Sequence, residues 1–337
     1  MYARLRPWLF KLDAEKTHAA TLRALQVAGA TPPIANWLQR QYASVQSEPI
    51  EVFGVHFANR IGLAAGYDKD GLAWRGLACL DFGHVEIGTV TLRPQAGNPR
   101  PRIFRLVEEQ SLINRLGFPS RGAEFVAGRL RGGCPEGLRI GVNLGINKGI
   151  AQEHIPQHYA DLMELFNPLA DYLTINVSSP NTPGLRQLEK SQPLAELLAA
   201  LQAQREKPLL VKLSPDLEES ERKATLDALL EAGIDGVIAT NTTLELTGLT
   251  SPLQDEAGGL SGAALTERSR TVVARIHAHT GGHLPIIAAG GIMGAADARA
   301  MLEAGASLLQ IYTGLVYRGP RLVRELLAAT RSSPPAN

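Results

Sequence analysis

Eight short apolar runs recur along this chain, most of them followed by a stretch with helical spacing, and this alternation restricts the folds open to it. The runs cover residues 61–66, 85–90, 140–144, 172–177, 209–213, 236–240, 286–289 and 308–312. They are continuous rather than alternating, as expected for parallel strands covered on both faces. Helical spacing between them is clearest at 194–204, 220–232, 269–280 and 296–303. Eight strand–helix units within 337 residues favour an α/β fold of the TIM (β/α)8 type over a doubly wound sheet. No G-x-G-x-x-G follows the first run, which weakens a dinucleotide-binding reading.

Residues 1–46 read as a helical extension, separate from a barrel domain at 47–337. Its start mixes Leu5, Trp8, Leu9, Phe10 and Leu12 with Arg4, Arg6 and Lys11. A second helix is predicted over 13–27, with Asp13 as N-cap and Gly29 ending it. Thr31-Pro32-Pro33 reads as a turn before a third helix at 34–42. The extension holds six Arg or Lys against two Asp or Glu. Two readings stay open: a flap packed on the barrel, or a basic-rimmed apolar pair of helices on a membrane surface. No apolar run approaches the roughly 18 residues of a spanning helix, and Lys11, Asp13, Glu15 and Lys16 interrupt any signal-peptide core. A net charge of +1 gives no basic field for nucleic acid. The two cysteines, Cys79 and Cys134, lack metal-ligand spacing.

TIM barrels place their chemistry at the C-terminal ends of the strands. There, the first run ends in Ala65-Gly66-Tyr67-Asp68-Lys69-Asp70, the second in Gly88-Thr89 and the third in Asn143. The fourth runs into Asn176-Val177-Ser178-Ser179-Pro180-Asn181-Thr182-Pro183-Gly184. Asparagine is depleted in strands and costly to bury unpaired, so Asn176 points to a polar ligand. The fifth run holds Lys212, the sixth ends in Thr240-Asn241-Thr242, the seventh in Gly290-Gly291 and the eighth in Tyr312-Thr313-Gly314. This ring of amides, hydroxyls and two lysines, with no metal cluster and no Ser–His–Asp set, suits a polar heterocyclic cofactor and an anionic substrate. Lys212 either snorkels from its strand end or offers its charge to a ligand. Lys69 either decorates a loop or anchors a carboxylate. The glycines after the seventh run and Thr313-Gly314 fit the phosphate site that such barrels often build there. The connection between the second and third runs is long, and long loops are often functional.

Eleven strings lie in order on these predicted strand ends and loops: A-A-G-Y-D-K-D-G, E-I-G-T-V-T, P-R-P-R-I-F-R-L, I-N-R-L-G-F, G-V-N-L-G, N-V-S-S-P-N-T-P-G-L-R, V-K-L-S-P-D, T-N-T-T, G-G-L-S-G, A-A-G-G-I and Q-I-Y-T-G. Together they resemble the dihydroorotate dehydrogenases, and in particular the membrane-associated, quinone-dependent class. The resemblance implies an FMN-containing TIM barrel that oxidises dihydroorotate to orotate in pyrimidine synthesis. It implies FMN contacts at Ala65, Gly66, Tyr67, Asp68, Lys69, Thr89, Asn143, Asn176, Lys212, Thr240, Gly262, Gly291, Tyr312 and Thr313. It implies substrate contacts at Lys69, Asn114, Arg115, Leu116, Gly117, Phe118, Asn176, Asn181, Asn241 and Thr242. Ser179 would be the catalytic base, with Thr182 and Ser178 as relay candidates and residues 179–186 as a lid. The soluble classes are similar but carry cysteine at the position of Ser179 and lack the extension. The resemblance also places a quinone tunnel between extension and barrel, lined by His18, Arg105 and Tyr312. A monomer held peripherally through its N-terminal helices, on the cytoplasmic side of the cell membrane, is expected, with no metal and no nucleic acid.

Overall fold

The structure is a computed structural model that describes residues 2–42, 48–182 and 184–331. The expected domain boundary at residues 46 and 47, and Pro183 of the expected lid, lie outside the described residues. The eight runs form strands β1 (Ile61–Leu63), β2 (His84–Val90), β3 (Arg139–Leu144), β4 (Tyr172–Asn176), β5 (Leu209–Leu213), β6 (Gly236–Ala239), β7 (Ile286–Ala289) and β8 (Leu308–Ile311). They pair in parallel in chain order, and β8 closes on β1. The first strand is shorter than its apolar run because the chain turns at Gly66, whose φ is +101°, and carries Lys69 across the barrel mouth.

Strand side chains alternate between faces. In β4, Leu173 and Ile175 join the layer packed with the helices, and Tyr172 joins a different cluster with Leu210, Ile238, Ile287 and Leu308. That cluster also holds Val52 and Phe57 of an antiparallel hairpin, Ile50–Val52 with Val55–Phe57, which plugs the barrel's N-terminal end. The long connection after β2 is not a loop. Ile103–Leu106 and Ser111–Asn114 form a hairpin, and Gly259–Gly262 joins it as a third antiparallel strand.

The extension forms helices α1 (Tyr2–Leu9), α2 (Ala14–Ala30) and α3 (Pro32–Tyr42). Asp13 caps α2 as expected, its carboxylate accepting from the Lys16 amide at 2.8 Å. Gly29, however, lies inside α2 rather than ending it. A Cβ there would sit 2.4 Å from the Gly76 nitrogen, and one on Gly76 would sit 2.0 Å from the Leu25 carbonyl oxygen. The two glycines thus let α2 cross the helix Trp74–Ala78 at backbone contact. The prolines start α3 instead of forming a separate turn, as suits the first helical positions. Glu15 of α2 accepts from Arg100 and from the buried Arg102, which ties the extension to the loop before the hairpin. Of the nine exposed large hydrophobic residues among those described, six lie on the extension, and Trp8 and Trp37 are 68% and 53% exposed. One side of the extension therefore packs on the barrel while the other presents apolar side chains to its surroundings.

Candidate functional site

A cavity opens at the C-terminal end of the barrel, with about 1120 Å³ of atom-free space, part of it open to solvent. Ala65, Gly66, Lys69, Thr89, Asn176, Ser179, Asn181 and Lys212 line it from the first five strand ends. Thr240, Asn241, Thr242, Gly290, Gly291, Tyr312 and Thr313 complete the ring. Asn114, Leu116, Gly117, Phe118 and Gly262 wall it from the antiparallel sheet and the segment that follows the hairpin. A few convergent polar groups on a largely apolar wall are the usual make-up of a ligand site.

Beneath this ring lies a buried polar network. Glu86 points donor groups at its carboxylate: the Asn143 amide at 2.8 Å, the Gln310 amide at 2.8 Å and the Tyr172 hydroxyl at 3.3 Å. With its amide nitrogen so engaged, Asn143 turns its oxygen to accept from Thr89 at 2.6 Å and Asn176 at 3.0 Å. The Asn176 side chain is thereby fixed in one orientation. Lys212 is buried, and its ammonium has no hydrogen-bond or close ion-pair partner among the described residues. Burial holds its pKa below the ordinary lysine value, opposed by the Glu86 carboxylate. The Gln310 side-chain oxygen is also buried without a partner, at a residue that lines the cavity. A buried cation without a hydrogen-bond partner in a cavity wall calls for a ligand with a complementary group.

Above the floor, Ser179 is buried, and its Oγ accepts the Asn181 amide at 3.3 Å. Asn181 in turn donates to the Asn114 carbonyl at 3.2 Å, and Asn241 donates to Ser178 Oγ at 2.9 Å. The Thr182 hydroxyl is buried without a partner. Lys69 donates to the Gly66 carbonyl at 2.7 Å. Burial brings its ammonium down to about 8, with Asp70 acting in the opposite direction.

Four sequence-derived residues do not line this cavity. Asp68 uses its carboxylate to accept the Leu72 and Ala73 amides of the following turn, at 2.8 and 2.7 Å. Asn143 sits one layer down, supporting Thr89 and Asn176. Tyr67 turns its ring towards His18 and Tyr312, with centroids 4.8 and 5.5 Å away. Arg115 points outward to Glu256 at 2.6 Å. Conversely, Glu86 and Gln310 were not singled out from the sequence. A carboxylate inside the apolar run V-E-I-G carries the same signal as the lysine in L-V-K-L.

A second cavity, of about 1030 Å³, lies between the extension and the barrel. Leu9, Phe10, Leu25, Leu38 and Tyr42 face Leu77, Leu80, Leu315 and Val316 across it. His18, Arg105 and Tyr312 line it too, and Ile103, Leu112 and Tyr312 are common to both cavities. Burial brings His18 down to about 4, so the ring is neutral at pH 7. Its Nε2 lies 2.7 Å from the Tyr67 carbonyl, which can only accept, so Nε2 carries the proton. Arg105 donates to the Leu12 carbonyl at 2.7 Å and stacks over Phe10 at 4.7 Å.

The family model for dihydroorotate dehydrogenase matches residues 49–331. The chain is 45% identical to the dihydroorotate dehydrogenase (quinone) of Azoarcus sp. (strain BH72), over 99% of each chain. It is 46% identical to the dihydroorotate dehydrogenase (quinone) of Acidithiobacillus ferrooxidans, over 97% of this chain and 93% of that one. Its fold is similar to the crystal structure of DHODH in complex with ferulenol from Eimeria tenella, with a TM-score of 0.87 and 33% identity. That match covers 95% of this chain and 93% of the other.

Proposed function

Because the chain belongs to the dihydroorotate dehydrogenase family, we propose that its barrel cavity holds FMN beside the substrate and that its second cavity admits the quinone. The protein oxidises dihydroorotate to orotate in pyrimidine biosynthesis, with a quinone as electron acceptor. The family is flavin-dependent in general. The observation that carries the choice of FMN is Lys212, a buried cation in the cavity wall with no hydrogen-bond partner among the described residues. It suits the electron-rich edge of an isoalloxazine. Thr89 and Asn176 add polar contacts to the same ring. The backbone amides near Gly290, Gly291 and Thr313 suit a phosphate.

When bound, FMN would supply the hydride acceptor and the redox link to quinone. The residues of the chain supply the rest. Lys69 offsets the substrate carboxylate. Asn114, Asn176, Asn181 and Asn241 hold the amide edges of the pyrimidine ring by complementary donors and acceptors. Ser179 Oγ removes the proton from one ring carbon as the hydride leaves its neighbour. The Asn181 amide, already pointing at that oxygen, stabilises the charge it develops. A free serine is a weak base, so its own proton must leave through a relay in a closed site. Of the two relay candidates, Thr182 keeps an unpartnered hydroxyl, whereas the Ser178 oxygen accepts from Asn241.

Ile103, Leu112 and Tyr312 form the partition between the cavities, and the apolar walls of the second suit a quinone ring. Burial pushes the Tyr312 hydroxyl up to about 12, so it stays neutral beside the quinone. No helix of the described residues is long and apolar enough to cross a membrane. The exposed apolar side chains of α1 and α3 support peripheral contact with a lipid surface. We also propose a monomer, divided into the extension 1–46 and the barrel 47–337, on the cytoplasmic face.

Orotate binding tests the assignment of the substrate pocket. Lys69 holds an anion only while protonated, so affinity should be flat below about pH 8 and fall above it. Lys69→Met should bind weakly with no such break. Parallel curves for parent and variant, read by calorimetry, would remove Lys69 from the substrate site.

A further inference from the structure

We propose that Arg186 is a positioning residue that sets Ser179 against the substrate-holding Asn241 and Thr242. Its guanidinium bonds to three successive loops at the barrel mouth. Nε donates to the Ser178 carbonyl at 3.2 Å, the residue before the base. Nη2 donates to the Thr242 carbonyl at 3.3 Å. Nη1 pairs with the Asp216 carboxylate, in the loop after β5, at 3.0 Å. Asp216 is held in its own place: its oxygens accept the Thr243 hydroxyl at 2.5 Å and the Leu244 amide at 2.9 Å, and Arg268 lies 3.6 Å away. The Arg186 and Asp216 side chains are only 24% and 18% exposed, so water competes weakly for these bonds.

Each half of the site needs the other in register. The base must reach one ring carbon while Asn241 and Thr242 hold the opposite edge of the ring. The strands below set β4 and β6 apart with β5 between them, and they do not control the loops above. A planar fork with three engaged nitrogens spans that gap, whereas a lysine offers one nitrogen and cannot. The bonds run from carbonyls of the two functional loops to one guanidinium, so losing it frees both loops together.

This inference rests on the roles given above to Ser179, Asn241 and Thr242. The test is stopped-flow reduction of the flavin-loaded enzyme by dihydroorotate, with Arg186→Ala, Arg186→Lys, Asp216→Asn and Ser179→Ala side by side. Arg186→Ala should slow reduction about 100-fold and weaken orotate binding, while FMN stays bound. Ethylguanidinium in solution should restore part of the rate, and Arg186→Lys should not. Asp216→Asn, which keeps shape and loses charge, should slow reduction less, and adding it to Arg186→Ala should cost little more. A parental rate in Arg186→Ala with a slow Ser179→Ala would overturn the positioning role alone. Parental rates in both would overturn the base assignment as well. A slow Arg186→Ala that ethylguanidinium does not restore, with Asp216→Asn effects simply multiplying, would reduce Arg186 to a general structural clamp and also overturn the proposal.

Discussion

Ser179→Ala is expected to keep its flavin and to reduce it about 1000-fold more slowly with dihydroorotate, in the range usual for loss of a general base. The argument is geometric. The Ser179 oxygen is buried in the cavity wall, and its one hydrogen bond among those described is an accepted one, from the Asn181 amide at 3.3 Å. The hydroxyl proton is therefore not committed to a protein acceptor, and the oxygen already faces a donor that favours negative charge. Alanine removes the proposed base and leaves Lys212, Asn176 and Thr89 in place, so cofactor retention and loss of reduction should separate. Orotate affinity should change little, since the amides and Lys69 proposed to hold the ring remain. Equal reduction rates in variant and parent would take Ser179 out of the role.

Removing residues 1–44 is expected to abolish quinone reduction while dihydroorotate still reduces the flavin. No described residue of the extension lines the barrel cavity, so the first half-reaction keeps its full complement of groups. The second cavity, by contrast, has Leu9, Phe10, His18, Leu25, Leu38 and Tyr42 as one wall. Without them, the apolar surface of Leu77, Leu80 and Leu315 faces solvent, and no enclosed path leads from a lipid surface to the partition at Tyr312. The truncated protein should need detergent to stay in solution. Quinone turnover at the parental rate in the truncate would disprove a tunnel built from the extension.

The barrel was legible because parallel strands buried on both faces leave continuous apolar runs that few other elements produce. Lys212 was legible for the same reason: a cation stands out in such a run. Glu86 stands out equally in its own run, and it organises the floor that holds Asn143 and Gln310. The hairpin at residues 103–114 was hidden because its strands are four residues each and the preceding segment is rich in proline and arginine. Gly29 looked like a helix stop because its real reason, the crossing with Gly76, belongs to a segment far away in sequence. Asp68 shows the converse limit. Its place next to a strand end does not reveal that the local turn uses both its carboxylate oxygens. The pairing of Arg186 with Ser178, Thr242 and Asp216 depends on three loops meeting in space, which no local pattern encodes.

The most direct test is an anaerobic visible spectrum of the purified protein, taken before and after dihydroorotate and again after a quinone. A flavin absorbance that bleaches on dihydroorotate and returns on quinone is the expected result, and it joins the two cavities into one reaction. A flavin spectrum indifferent to dihydroorotate, or a colourless protein that fails to take up FMN, would contradict the account.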